Sequence, residues 1–191
     1  LYTVMVTNGY ITEDALAVLA PHIDAYRVDV KGFSDAQYKE LCRIPDMAPV
    51  LTSAERARTV YGCHVEIVTN VIPTFNDDDR TLRGIAEWIV DRLGADTPWH
   101  VTRFMPYLEF AHLPPTPIAT LEQAVKIGHD AGLQFVYVGN VPGHEGENTI
   151  CPNCKRLLVR RTGHAVEDVA LRGTFCAMCG QNANVRTSVK S

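Results

Sequence analysis

Residues 135–154 read FVYVGNVPGHEGENTICPNC, and the order of features within them decides the architecture. Phe135–Asn140 is β-branched and aromatic, the composition of a strand. A loop bearing glycines and charges follows, and it ends directly in the knuckle Cys151-x-x-Cys154. A second knuckle, CAMC, places Cys176 and Cys179 downstream. Four thiols in two such pairs can close a tetrahedral metal site. The 21 residues between the pairs slightly exceed the usual spacing but suffice for a returning hairpin. A closed set of four thiolates predicts a structural Zn²⁺ that stabilises a module too small for its own core. Iron suits the same tetrahedral sulfur set. His164 lies between the pairs and is surplus to four ligands.

Upstream of this stretch, strand and helix patterns alternate. Strands are predicted at Tyr2–Thr7, Tyr26–Lys31, Val65–Ile72, His100–Met105 and Phe135–Asn140. Helices are predicted at Glu13–His22, Asp35–Arg43, Ser53–Tyr61, Leu82–Leu93 and Leu121–Ala131. Ser34 with Gln37, Thr52 with Glu55, and Thr120 with Gln123 match a capping box, while Gly94 and Gly132 stand where helices should stop. The asparates Asp77, Asp78 and Asp79 precede a helix, where acids favour the positive end of the dipole. Pro106–Pro117 holds four prolines and reads as a loop. The alternation implies an α/β fold with a parallel sheet, open or curled toward a barrel, over residues 1–148. Residues 149–191 then form a small zinc-ribbon-like Cys₄ module.

One strand face carries charge. Arg27, Asp29 and Lys31 alternate with Tyr26, Val28 and Val30, and His64, Glu66 and Asn70 alternate with Val65, Ile67 and Val71. Residues two apart share a face of a strand, and a parallel sheet covered on both sides should be nearly all apolar. Ionic residues on two consecutive strands therefore predict a polar lumen, with chemistry at the C-terminal strand ends. An edge strand with a wet face is the competing reading.

The bulk numbers set bounds. A chain of 191 residues accommodates one domain and a small module, and 46% hydrophobic with 21% charged residues is a globular composition. No apolar run reaches the roughly 18–20 residues of a membrane helix. The first residues, LYTVMVTNGY, show no signal-peptide pattern and begin inside a strand signal, so a preceding portion is expected. Knuckles without a secretory signal favour a reducing compartment, the cytoplasm by default. Cys42 and Cys63 read as ordinary buried or half-buried thiols. The net charge of −4 is uneven: residues 155–191 carry seven basic residues against Glu167 and Asp168, a balance of +5, which leaves −9 elsewhere. A basic module on an acidic body admits nucleic-acid or protein binding; docking of the module on its own domain is the simpler account.

Five motifs in order carry a family resemblance: TNG at Thr7–Gly9, DVK at Asp29–Lys31, VIPTFND at Val71–Asp77, RFMPY at Arg103–Tyr107 and YVGNVPGHEGENTICPNC at Tyr137–Cys154. In these the chain resembles radical SAM activating enzymes. It is most similar to the radical SAM enzyme of the AmmeMemoRadiSam system, a relative of pyruvate formate-lyase activating enzyme. The resemblance implies the C-terminal part of a partial (β/α) barrel. It also implies, in the intact protein, a [4Fe–4S] cluster that cleaves S-adenosylmethionine to a 5′-deoxyadenosyl radical, which abstracts hydrogen from a substrate. The family's Cys-x3-Cys-x2-Cys loop and Gly-Gly-Glu turn do not occur here, so the cluster ligands lie outside this chain and the chain alone should be inactive.

By the same resemblance, Asp29 and Lys31 contact the ribose and the methionine end of S-adenosylmethionine, Asn70 flanks the adenosyl group, and Met105 backs the adenine. Asn8 is a neighbour of that site or simply a turn residue beside Gly9. Where the activating enzyme has Arg and His, this chain has Val68 and Leu108, which implies different substrate-side chemistry. Arg103, His144 and Glu145 are the substrate-side candidates; the GHEGE loop is alternatively a shaped linker with solvated charges. The implied partners are an unidentified substrate, with a protein among the candidates, and an electron donor for the cluster. Neither a membrane nor nucleic acid is favoured.

Overall fold

The computed structural model describes residues 2–163 and 165–185. His164 lies outside them, as do Arg186 and Lys190, two of the seven basic residues counted in 155–191. Five strands, β1 (Val4–Thr7), β2 (Ala25–Asp29), β3 (His64–Val71), β4 (Trp99–Arg103) and β5 (Val136–Gly139), form one sheet in the order β1-β2-β3-β4-β5. Every neighbouring pair is parallel. Sequential order with parallel pairing requires a crossover between each pair, and helices supply them. These are α1 (Glu13–Leu19), α2 (Asp35–Cys42) with α3 (Ala48–Thr59), α4 (Asp79–Trp88) and α5 (Ile118–Asp130).

All five helices join a single core with one face of the sheet. Tyr26, Val28, Val65, Ile67, Val71, Trp99, Val101, Val136 and Val138 from the strands pack there with Leu16, Tyr38, Ala54, Ile85 and Ile127 from the helices. The other face carries Arg27, Asp29, His64, Glu66, Asn70, His100, Thr102 and Tyr137, all partly exposed. A sheet wound in one direction, with helices on one side and polar groups on the other, is the wall of a barrel rather than a doubly wound sheet. β1 forms one edge of that wall, pairing only with β2, and exposes Val4 and Val6 on its lumen side.

The helix boundaries correct two expectations. Ser34 does cap α2, its Oγ accepting from Gln37 N at 3.3 Å. Thr52 and Glu55, however, sit inside α3, which begins five residues before Ser53 with Pro49 in its first turn. Proline loses nothing at that position, because the first amides of a helix have no intrahelical acceptor. Thr120 likewise lies inside α5, which starts at Ile118 after Pro117. Asp78, by contrast, caps α4 through a 3.0 Å bond from Thr81 N. Gly94 and Gly132 end helices as expected, both at positive φ.

The module has its own layers. β6 (Thr149–Ile150), β7 (Leu157–Thr162) and β8 (Ala165–Val169) form an antiparallel sheet, and β9 (Leu171–Arg172) pairs with β10 (Phe175–Cys176). Its apolar core is Cys151, Leu158, Val159, Cys176 and Ala183, and Thr149 is buried beside them. Asn184 Nδ2 ties it to the larger domain by a 2.6 Å bond to Asp96 O. Among the described residues no helix is long and apolar enough to cross a membrane.

Candidate functional site

Three polar clusters lie along this architecture. The first is at the C-terminal strand ends. Lys31 Nζ pairs with Asp29 Oδ2 at 2.6 Å, both side chains about one-third exposed. Asn70 accepts a 3.4 Å bond from Thr102 Oγ1 on the adjacent strand. Asn76 holds this cluster together, a residue that sequence reasoning passed over inside VIPTFND. Fully buried, it accepts from Ile72 N at 2.6 Å and donates to Lys31 O at 2.8 Å and Asn70 O at 2.9 Å. One amide thus joins the ends of β2 and β3. The turn that carries it contains Thr74 at φ 71°, a rare conformation for a β-branched residue, anchored by Asp77 Oδ1.

Asn8 lies beyond β1, exposed, with Oδ1 accepting from Tyr10 N at 3.0 Å. The adjacent Gly9 has φ 73°, and a Cβ there would lie 2.8 Å from Val28 Cγ1. Met105 is 56% exposed after β4, with Tyr107 and Leu108 also exposed beside it. Their loop is held by Phe110, whose ring meets Phe75 and Phe104 edge-on.

The second cluster lies toward the N-terminal strand ends. Glu66 bridges two imidazoles, His64 Nε2 at 3.2 Å and His100 Nε2 at 3.1 Å. Burial alone would push its carboxyl up, but the hydrogen bonds and charge of His100 and His64 outweigh that and hold it well below the usual carboxylate range. His100 stacks on Tyr137, centroids 5.0 Å apart. These side chains line a groove of about 850 Å³ that also takes in Arg27, Thr102, Thr149 and Arg161. The alternating polarity of β3 pointed to His64 and Glu66; their partners come from β4, β5 and the module, beyond the reach of a local pattern.

Arg103 shares the core-side register of Trp99 and Val101, and its Nε donates to Thr116 O at 2.9 Å. His144 Nδ1 accepts from Gly146 N at 2.9 Å, its Nε2 faces Glu122 at 3.6 Å, and Glu145 is exposed. None of the three is among the residues that line the groove.

The third cluster is the cysteine set. The four Sγ atoms all lie within 4.8 Å of one another, with Cys151–Cys179 at 3.6 Å and Cys154–Cys176 at 3.8 Å. Those separations far exceed a disulfide bond and match the edge of a tetrahedron with metal–sulfur bonds of about 2.3 Å. The knuckle turns are matched: Lys155 N bonds Cys151 O and Gly180 N bonds Cys176 O, each at 3.0 Å, with both turn residues at positive φ. The amide of Gln181 lowers the Cys179 thiol to about 6, and those of Cys179 and Met178 lower Cys176. At Cys154 the Arg156 amide also lowers, but burial and the three neighbouring thiols outweigh it and raise the thiol to about 11. Backbone donors that favour thiolates suit metal ligation.

Comparison with known proteins agrees with this layout. A domain of a pyruvate-formate lyase-activating enzyme from Bacteroides vulgatus superimposes with a TM-score of 0.61 at 15% identity, over 73% of this chain and 82% of that one. A radical SAM methyltransferase from Sphaerobacter thermophilus gives 0.59 at 15%, over 75% and 43% respectively. The chain therefore shares its fold with these two structures. Part of the chain is also similar in sequence to a protein named as an activating enzyme. The isethionate sulfite-lyase activating enzyme of Nitratidesulfovibrio vulgaris is 29% identical over 86 residues, 45% of this chain and 28% of that protein. An uncharacterized protein of Methanocaldococcus jannaschii is 39% identical over 187 residues. This chain spans 55% of that relative's length. No family model matches the chain.

Proposed function

We propose that this chain is the C-terminal part of a radical SAM enzyme that binds S-adenosylmethionine at the C-terminal strand ends and acts on an unidentified substrate by hydrogen abstraction. The observation that carries the reading is the Asp29–Lys31–Asn70 cluster, stapled by Asn76 at the mouth of a one-way parallel sheet whose opposite face is polar. The donor set suits the ligand: an ammonium for its carboxylate, a carboxylate for ribose hydroxyls, and an amide for the adenosyl group. Exposed Met105 offers an apolar surface for adenine, with Asn8 a further contact at the rim. Bound S-adenosylmethionine supplies radical hydrogen-abstraction chemistry; the residues here hold and orient it.

The chain's own four thiolates, all within 4.8 Å of one another, match a single ion and leave no position open for S-adenosylmethionine, so the iron–sulfur cluster is not assigned to them. Among the described residues the cysteine set is the one group fit for a metal, and Cys42 and Cys63 stand apart from it. In this reading the [4Fe–4S] ligands lie outside this chain. The open edge of β1, with Val4 and Val6 exposed, is where further strands would add. The cysteine set is a structural zinc site, since all four positions are thiolates and none is left for substrate. A protein electron donor and a cytoplasmic location complete the proposal.

The test uses the full-length protein carrying this chain, reconstituted anaerobically with iron and sulfide. Reduction should yield 5′-deoxyadenosine from S-adenosylmethionine and a cluster signal in electron paramagnetic resonance. A loaded, reduced protein that leaves S-adenosylmethionine intact would refute the proposal.

A further inference from the structure

The Glu66 cluster and the cysteine module are physically joined. From the module, Arg161 projects onto Tyr137, its guanidinium carbon 5.7 Å from the ring centroid. Its Nη1 donates to Thr149 Oγ1 at 2.7 Å and Glu147 O at 3.3 Å, and its backbone N donates to Asn148 Oδ1 at 2.8 Å. Tyr137 Oη and Thr149 Oγ1 are 3.0 Å apart. Tyr137 in turn stacks on His100, which bonds Glu66, which bonds His64. A continuous series of contacts thus runs from β7 to β3.

The position of Arg161 depends on the metal centre. β7 carries Leu158 and Val159 into the five-residue core that contains Cys151 and Cys176. Val159 is in register with Thr149, two residues before Cys151. So few buried residues cannot order a three-stranded sheet alone, which leaves the metal to hold β6 and β7 together. Loss of the metal would free Arg161 and Thr149, and with them the contacts that fix the Tyr137 ring.

We propose that metal binding at the four cysteines and the order of the His100–Glu66–His64 cluster are thermodynamically coupled through Arg161 and Tyr137, so that the module gates the polar end of the lumen groove. Arg161 is a positioning residue that acts on His100 through Tyr137. The charged groups around the cluster are Arg27, in register with Glu66 on β2, together with Asp24 and Glu147 on the groove wall. Asp24 and Glu147 each accept backbone amides, Thr3 N for one and Gly143 N for the other. The proposal rests on metal occupancy of the cysteine cluster and not on radical chemistry.

The test is histidine ring NMR on the whole chain, with zinc stoichiometry measured first. In the zinc-loaded protein His100 should show the upfield displacement of a ring stacked on Tyr137, and removal of zinc by EDTA should abolish it. Arg161→Gln, still loaded, should place His100 where the stripped wild type has it. By reciprocity, Arg161→Gln should also weaken zinc binding about 5-fold or more in competition with a chelating dye. Tyr137→Leu should make His100 insensitive to EDTA, and Arg160→Gln, exposed on the neighbouring position, should change neither readout. A His100 resonance unmoved by EDTA, or Arg161→Gln holding zinc as tightly as wild type, overturns the coupling. A folded chain that takes up no zinc overturns the metal reading beneath it, and the stoichiometry tells the two failures apart.

Discussion

The five-stranded sheet and the cysteine module solve the same problem by different physics. The sheet and its helices share one core of large side chains, among them Trp99, Tyr26, Ile67, Leu82 and Ile127, all essentially inaccessible. The module's apolar core is five buried residues, two of them cysteines. Burial at about 25 cal/mol per Å² can hold the first together, whereas the second falls below the size at which a core suffices. The lesson is a division of labour: the sheet can present polar groups on its open face because its other face carries the stability. The module can lend Arg161 to the groove because four thiolates carry its own.

The largest effect should come from the metal. Cys151→Ser with Cys176→Ser removes a binding free energy on the order of 10 kcal/mol. Amide exchange should then become fast in β6–β8 and stay slow in β3 and β4; equal loss in both regions would break the division. Next is Asn76→Ala, which leaves Ile72 N, Lys31 O and Asn70 O without their buried partner, at a cost of about 3 kcal/mol in chemical denaturation. Cysteine-bound metal should be unaffected, which sharpens the separation.

Glu66→Gln should cost about 2 kcal/mol at neutral pH, since two hydrogen bonds to a charged group are weakened. The sign of its pH dependence follows from the depressed carboxyl. The stabilisation is complete above the unfolded value of about 4.3 and is lost as the pH falls toward the lower folded value. The gap between wild type and variant should therefore narrow as the pH falls below about 4.3; a gap that widens in acid would contradict the Glu66 assignment. Smallest is Asp78→Ala, which removes the cap of α4 and should lower stability by about 1 kcal/mol without touching either polar cluster.

How far the sequence discloses this molecule follows from the range of each signal. The period-two pattern in β2 and β3 makes the polar face legible, and knuckle spacing makes the metal site legible, because both are local. The start of α3 is misread because Thr52 and Glu55 mimic a capping box, while the operative signal is Pro49 in the first turn. Asn76 goes unnoticed because its partners, Lys31 beyond the end of β2 and Asn70 in β3, come from two different segments of the chain. The Glu66 cluster is half visible: His64 lies two residues away, but His100, Tyr137 and Arg161 arrive only through sheet register and docking of the module.

The strand-end cluster is the proposed S-adenosylmethionine site, and calorimetric titration of the full-length protein tests it most directly. Lys31→Met should weaken S-adenosylmethionine binding about tenfold or more, as loss of a charged hydrogen bond worth about 1.5–3 kcal/mol requires. Lys126→Gln, on the outer surface of α5, should leave it unchanged. Equal affinity in wild type and Lys31→Met would contradict the assignment of this site.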